Sequence, residues 1–245
     1  QRLPGTMLRL RYSRLFWQGP PCFTTRLLGM PMTDQPLRIR MTYAKLGNLR
    51  FVGHLDLQRL FERALRRTNL PLRYTQGFNP HLRINLASAL PLGFIGEAEQ
   101  MDFWLDQEVS LDEVSNRLRA SLPVELVLQE LQVIDNQQPS LQGSLLSSEY
   151  EILLPADLDI QTLQEKVREL LAQDALPVQR RKKTVDLKKI ILQMEFFKAE
   201  PQTLLKVAMK STPEENGRPD ELLELLGLDP ADCQVTRTKL NFSEE

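Results

Sequence analysis

The spacing of apolar residues changes repeatedly between residues 37 and 134, and this pattern constrains the fold more than any other feature. Residues 37–42 alternate apolar with polar side chains, which predicts a half-buried strand. Residues 53–68 instead carry apolar side chains at helical spacing. Two further alternating segments, 82–87 and 101–106, again have the period of a strand. The sequence therefore predicts a strand, a helix and two more strands in succession.

A second helix and a fourth strand complete this unit. Ser110 followed by Glu113 has the spacing of a capping box, which predicts a helix that runs to about Leu122. Residues 124–134 predict the fourth strand. The order β-α-β-β-α-β is the ferredoxin-like arrangement, so we expect a first ferredoxin-like domain over residues 34–135.

The same order of elements is expected again after a polar linker at residues 136–148. The predicted elements are a strand at 150–154, a helix around Leu163 to Leu171, strands at 184–197 and 203–211, a helix at 219–226 and a strand at 234–242. The predicted fold class is therefore α+β, with two tandem ferredoxin-like halves, the second over residues 149–245.

The first 33 residues do not fit this pattern. They contain five arginines, no acidic residue and no clear periodicity. We expect residues 1–33 to be a disordered or spurious N-terminal extension, or the tail of a preceding domain, in preference to a targeting signal.

Cysteine content and hydropathy limit the class of protein. Cys22 and Cys233 are isolated, so they predict neither a disulfide framework nor a metal-binding set. No apolar run approaches the ~18 residues that a membrane-spanning helix needs. We therefore expect a cytoplasmic protein without a membrane partner, and the absence of recognisable nucleotide or metal motifs predicts no cofactor.

Positive charge is concentrated in one part of the chain. Both histidines lie between Arg50 and Arg83, together with seven arginines and only two acidic residues. Residues 37–91 carry a net charge of +8 and residues 92–135 a net charge of −8. A cationic surface that binds phosphate is therefore compatible with an overall charge of −1.

Four arginines follow one face of the first predicted helix, opposite its apolar residues: Arg59, Arg63, Arg66 and Arg67. Such a row can follow a nucleic-acid backbone, because the guanidinium group matches phosphate oxygens. The alternative is an ordinary solvated helix face on which Glu62 pairs with Arg66. Arg73 and Arg83, on nearby elements, extend the candidate surface.

The loop that follows this helix, YTQGFNPH, combines aromatic and amide side chains. Tyr74 and Phe78 can stack on bases, and Gly77 allows a positive φ. Three further side chains can form hydrogen bonds with base edges: Gln76, Asn79 and His81. The alternative is a packed turn in which Phe78 fills the core.

His54 and Asp56 lie at the predicted start of the first helix. The helix dipole is sufficient to explain Asp56 at this position. His54 can be a structural residue, a phosphate contact, a general base or a metal ligand, and His54, Asp56 and His81 together can in principle hold a divalent ion.

A long motif over residues 48–81 resembles that of the radical SAM-linked protein family, also known as DUF2344. It reads NLRFVGHLDLQRLFERALRRTNLPLRYTQGFNPH, and LASALPLG and EAEQMD follow it. Two later segments, TVDLKKII and RPDELLELLGL, are similar to landmarks in the second half of the family. The resemblance implies a radical SAM protein as a separate partner or a fused upstream neighbour. This chain lacks the cysteine triad that holds a [4Fe–4S] cluster, so it is not itself expected to be the radical SAM catalyst.

These observations predict an accessory RNA-binding module that presents tRNA or rRNA to a radical SAM enzyme for modification. The expected RNA contacts are His54, Arg59, Arg63, Arg66, Arg67, Arg73, Tyr74, Gln76, Gly77, Phe78, Asn79, His81 and Arg83. Two alternatives remain open, a metal-assisted RNA nuclease or hydrolase that uses His54, Asp56 and His81, and a pure protein-interaction subunit of a radical SAM complex.

Overall fold

An eight-stranded mixed sheet organises the residues that the computed structural model describes, which are 35–181, 183–199 and 202–243. This sheet and its accompanying helices confirm the predicted α+β class. The predicted extension over residues 1–33 lies outside the described residues.

The first half of the sheet has the predicted order of elements. These elements are β1 (Leu37–Lys45), a 3-10 turn (Gly47–Phe51), α1 (His54–Arg67), β2 (Ile84–Leu86), β3 (Ile95–Leu105), α2 (Leu111–Ser121) and β4 (Leu126–Ile134). Strand β1 lies between β3 and β4 and is antiparallel to both, while β2 is antiparallel to the end of β3. Strand β2 is shorter than predicted, because Leu82 instead forms a bridge with Tyr74 across a hairpin.

The second half adds four strands to the same sheet and a separate two-stranded hairpin. Its elements are α3 (Leu141–Ser144), β5 (Leu145–Leu153), α4 (Ile160–Ala172), β6 (Pro177–Arg180), β7 (Lys183–Asp186), a 3-10 turn (Leu187–Lys189), β8 (Ile191–Ala199), β9 (Gln202–Lys210), α5 (Pro219–Leu225), a 3-10 turn (Pro230–Asp232) and β10 (Gln234–Phe242). The strand order of the large sheet is β4-β1-β3-β10-β5-β9-β8. Strand β10 joins the halves, because it is antiparallel to β5 and parallel to β3.

Other boundaries also differ from those predicted, and β3 begins at Ile95, before the predicted segment 101–106. The single strand expected at 184–197 is wrong, because β7 pairs with β6 and a 3-10 turn separates it from β8. The Asp186 carboxylate holds this turn by accepting hydrogen bonds from the backbone N–H groups of Leu176 and Lys188. The predicted linker at 136–148 also contains regular structure, since α3 and the start of β5 lie within it.

The helices bury their predicted apolar faces against the sheet. Leu57, Phe61 and Leu65 of α1 are buried, and the Phe61 ring packs edge-on against Tyr43 with centroids 4.8 Å apart. A second core forms where α4 and α5 cover β5 and β9. Phe94, in the loop before β3, packs into this second core and so connects the two halves.

Strand alternation assigns two faces to the first half of the sheet. Ile39 and Met41 belong to the core beneath α1, together with Met101 and Phe103 on β3. Successive side chains of a strand point to opposite faces. Arg38 and Arg40 on β1, like Asp102 and Trp104 on β3, therefore lie on the face opposite α1. Strand β1 was predicted to be half-buried, but Arg38 on its polar side is also buried.

Candidate nucleic-acid interface

Three of the four predicted helix arginines line an open groove. Arg59, Arg63 and Arg67 form one wall, and the end of α2 with the two residues after it, Ser121 to Pro123, forms the other. The cavity measures about 680 Å³. Apolar side chains of Val52 and Leu60 also line it. We call this feature the arginine groove.

The arginines of α1 differ in whether a carboxylate neutralises them. Arg59 pairs with Asp56 at 3.0 Å, and Arg66 pairs with Glu62 at 3.6 Å, as expected for a solvated helix face. Within the part of the chain that the structure describes, Arg63 and Arg67 form no ion pair. Arg67 donates a hydrogen bond to the carbonyl oxygen of Ser121 across the groove at 2.5 Å. Two guanidinium groups in the arginine groove therefore lack a carboxylate partner.

The loop between Tyr74 and Leu82, here called the aromatic loop, is an exposed hairpin. Backbone hydrogen bonds close it, including one of 2.7 Å from Thr75 N–H to the His81 carbonyl. The Phe78 side chain is fully exposed, at 107%, so the alternative in which it fills the core is wrong. Gly77 has the positive φ that its residue type suggested, at 132°. The remaining predicted contacts in this loop are exposed as well: Tyr74, Gln76, Asn79 and His81.

Arg73 and Arg83 lie beside each other at the base of the aromatic loop, but they do not line the arginine groove. The Arg73 guanidinium pairs with Asp106 at 3.2 Å. Arg83 stacks on the indole ring of Trp104, 4.3 Å from the ring centroid. Trp104 faces away from α1, so the predicted arginine set is divided between two faces of the sheet.

Trp104 also lines a second groove, of about 500 Å³, which we call the tryptophan groove. Its walls include Arg38, Arg83, Asn136 and Gln138. Trp104 was not among the site residues predicted from the sequence. The available signal was a tryptophan on the polar side of an amphipathic strand, between Asp102 and Asp106.

His54 opens α1 but points to a different environment from the arginines. It interacts electrostatically with Lys45, Glu99 and Arg237, and we call these four residues the buried charge cluster. Arg237 is only 1% exposed and donates two hydrogen bonds to the Glu99 carboxylate, at 2.7 and 2.5 Å. Burial, with the positive charges of Arg237 and Lys45, lowers the pKa of His54. Its Nδ1 atom is buried without a hydrogen-bond partner among the described residues.

The lowered pKa of His54 predicts a measurable titration. A histidine whose pKa is lower in the folded state stabilises the fold fully above its unfolded value of about 6.5. That stability is lost as the pH falls from this value through the lower folded one. In an NMR titration of the His81→Gln variant, the single remaining imidazole signal belongs to His54, and its midpoint is expected below pH 6.5.

Denaturant titrations of the two single-histidine variants test the effect on stability. His54→Gln should lose less stability than the wild type as the pH falls from 7.5 into the acid range, and His81→Gln, which removes an exposed side chain, is the matched control. A His54 midpoint at or above its ordinary value would contradict the effect assigned to burial and to the positive charges of Arg237 and Lys45.

The predicted alternative metal set does not form. Among residues 35–181, 183–199 and 202–243, no group of three His, Cys, Asp or Glu side chains is arranged to hold a metal ion. His54, Asp56 and His81 consequently do not make a common ligand set.

The charge separation seen along the sequence is partly cancelled in the fold. Arg38 and Arg40 from the basic segment both pair with Asp102 from the acidic segment. Arg73 and Asp106 pair in the same way. Net charge per segment therefore overestimates the positive charge that the surface displays.

A family model described as "Uncharacterized protein conserved in bacteria (DUF2344)" matches residues 38–219. The chain belongs to the DUF2344 family. The family match includes the arginine groove, the aromatic loop and Trp104. It ends before β10, so Arg237 of the buried charge cluster lies beyond it. No curated protein matches this DUF2344 chain.

Three solved structures are similar to this DUF2344 protein at low sequence identity. A protein described as a glycine cleavage system transcriptional repressor is 12% identical, with a TM-score of 0.24, over 86% of this chain and 100% of its own. An unknown protein from Galdieria sulphuraria is 13% identical, with a TM-score of 0.25 and the same coverage. A protein described as a dyp-type peroxidase from Shewanella oneidensis is 11% identical, with a TM-score of 0.22, over 78% of this chain and 83% of its own. None of these similarities assigns a function.

The helices of the described residues were compared with what a membrane span requires. None is both long enough and apolar enough to cross a bilayer.

Proposed function

We propose that this DUF2344 protein is an accessory RNA-binding module that works with a radical SAM enzyme and presents tRNA or rRNA for modification. The observation that carries this proposal is the pair of guanidinium groups, Arg63 and Arg67, that line the arginine groove without carboxylate partners. Each phosphate bound by such a group releases condensed counterions, which favours association with a polyanion.

The aromatic loop supplies a second kind of RNA contact in this proposal. Tyr74 and Phe78 expose ring faces, on which unpaired bases stack irrespective of their identity. Amide and imidazole groups on the same loop, from Gln76, Asn79 and His81, can form hydrogen bonds with base edges. The arginine groove would thus hold the backbone, and the aromatic loop would contact exposed bases.

The link to a radical SAM enzyme rests on the motif over residues 48–81, which resembles that of the radical SAM-linked family. The chain has two cysteines, fewer than the three thiolates that bind the cluster of such an enzyme. The redox chemistry would therefore belong to the partner, and this chain would bind and orient the RNA.

We also interpret the sheet as two tandem ferredoxin-like halves. The strand order β4-β1-β3-β2 of the first half is equivalent to β10-β5-β9-β8 of the second. In both halves a helix follows the first strand, and another helix precedes the last. The arginine groove would then belong to the first unit alone.

Charge reversal in the arginine groove tests the proposal. Binding of a labelled single-stranded RNA is measured by fluorescence anisotropy over a series of salt concentrations. With three phosphate contacts on single-stranded RNA, a fourfold increase in salt should weaken wild-type binding roughly 20-fold. Arg63→Glu/Arg67→Glu should weaken binding by at least about tenfold and make its salt dependence less steep, because two phosphate contacts are lost.

Lys166→Glu/Arg168→Glu on α4 is the matched control. It introduces the same change of charge at two exposed helix positions of the second half, and it should bind nearly as well as the wild type. Equal losses in both double variants would indicate only a general charge effect, and RNA affinity independent of salt would refute the proposal. Cleavage of the RNA in the presence of Mg²⁺, Mn²⁺ or Zn²⁺ would support the hydrolase alternative instead. Co-purification with a radical SAM protein from nuclease-treated lysate, without any RNA affinity, would favour a protein-interaction subunit.

A further inference from the structure

Arg83 differs from its arginine neighbours on the face opposite α1. Arg38 and Arg40 share the buried Asp102 carboxylate, and Arg73 pairs with Asp106. Arg83 forms neither an ion pair nor a hydrogen bond with any of the residues that the structure describes. Of these four arginines, Arg83 is therefore the one whose guanidinium charge is not neutralised by a carboxylate.

The position of Arg83 is fixed by the ring beneath it. Trp104 is only 7% exposed, and its indole N–H donates a 3.0 Å hydrogen bond to Asn136. Asn136 in turn donates to the carbonyl oxygen of Pro36 at 2.6 Å. Arg38 also approaches the indole, 5.6 Å from its centroid. A guanidinium group that stacks on an immobilised ring keeps its N–H groups free for an anion, and loses little conformational entropy on binding one.

Polar groups suited to a larger ligand surround this guanidinium. The tryptophan groove has a volume of about 500 Å³, which is in the range of small-molecule sites. The amide side chains of Asn85 and Gln138 line it, and within the described residues neither makes a side-chain hydrogen bond. Burial and the neighbouring Arg73 and Arg38 lower the pKa of Arg83, so a bound anion would relieve an unfavourable concentration of positive charge.

We propose that the tryptophan groove is a second anion site, in which Arg83 binds the phosphate group of a nucleotide and the amides of Asn85 and Gln138 contact its polar atoms. The guanidinium fork matches two phosphate oxygens, and the amides offer both donors and acceptors. The phosphate belongs either to a free nucleotide or to an RNA chain, since both present the same group. This site is on the opposite sheet face from the arginine groove and does not depend on it.

Trp104 itself reports binding. The sequence contains two tryptophans, so Trp17→Phe leaves Trp104 as the single indole. Titration of this variant with AMP, or with a short single-stranded RNA, should change the tryptophan emission in a saturable way. In the same background, Arg83→Gln should weaken the binding by at least about tenfold, as expected for loss of a charge-assisted hydrogen bond. The Arg83→Lys variant should bind the titrant less tightly than the protein with Arg83, because lysine keeps the charge but lacks the planar guanidinium fork.

The two sources of phosphate are separated by the titrant. Saturation by AMP would assign the site to a free nucleotide, and saturation by RNA alone would assign it to a chain. The RNA titration is repeated with Arg63→Glu/Arg67→Glu, so that failure of the arginine groove does not hide the tryptophan groove. Arg168→Gln, an exposed arginine on α4, is the control and should leave the titration unchanged. Absence of a saturable change with either titrant, or an equal change in Arg83→Gln, would overturn the proposal.

Discussion

Replacement of Arg237 with Met is expected to lower the free energy of unfolding by about 3–5 kcal/mol, as for other buried ion pairs that lose one partner. Arg237 and Glu99 are both almost fully buried, and the two charges form paired hydrogen bonds of 2.7 and 2.5 Å. Without Arg237, the Glu99 carboxylate would remain in the interior beside Tyr43. Denaturant titration monitored by circular dichroism measures the loss.

Two comparisons make this prediction specific to the ion pair. Lys239→Met changes a largely exposed cation on the same strand, and its effect should lie within about 0.5 kcal/mol, as for most surface substitutions. The double variant Glu99→Gln/Arg237→Met should recover part of the stability lost in Arg237→Met, because it removes the buried carboxylate that lacks its arginine. If the double variant instead lost the sum of the two single effects, Arg237 and Glu99 would not act as a pair.

Asp102→Asn should be comparably destabilising, by about 3–5 kcal/mol, because it leaves two arginines without their carboxylate. Asp102 is fully buried and accepts hydrogen bonds from Arg38 and Arg40, at distances between 2.5 and 3.1 Å. The asparagine NH₂ group would face guanidinium donors that need an acceptor. Arg38 also binds the carbonyl oxygens of Gln138 and Pro139, so the tryptophan groove should lose order together with the sheet.

Asp106→Asn is the matched control for this substitution. Asp106 is half-exposed and pairs with Arg73 at the surface, where such pairs contribute about 0–1 kcal/mol. Thermal and denaturant unfolding of the two variants should therefore differ by more than about 2 kcal/mol. A similar small effect for both would show that water replaces the carboxylate at Asp102, contrary to its burial.

Local patterns accounted for much of the fold because helices and strands bury apolar residues at different periods. The span of α1 was predicted to within a residue at each end, and the last strand, Gln234–Phe242, was predicted with its observed bounds. The break between β7 and β8 was missed because it is short and aliphatic residues flank it, with Val185 before it and Ile190 and Ile191 after it. It depends on the Asp186 side chain binding backbone N–H groups, one of them ten residues away, and no apolar periodicity reports such a contact.

The candidate site was predictable only in part, for a related reason. Arg59, Arg63 and Arg67 share a groove because the spacing of residues on a helix fixes which side chains are neighbours. Arg83 was predicted to lie on the same surface. Side chains alternate between the two faces of a strand, however, and the pairing of β2 with β3 places Arg83 on the face of Trp104. The groups that interact with His54 could not be predicted either, because Arg237 is far from His54 in the sequence. A pattern within one element is local, whereas a site that combines elements depends on strand pairing.

The parallel contact between β10 and β3 also has a consequence for biosynthesis. Glu99 and Arg237 are separated by 138 positions, so a ribosome that makes roughly 5–20 residues per second needs about 7–28 s to deliver the arginine after the glutamate. During that interval Ile95 and Gly96 of β3 have no partner in β10, and the Glu99 carboxylate lacks its arginine. We therefore expect the first half to complete its packing only after the final strand emerges.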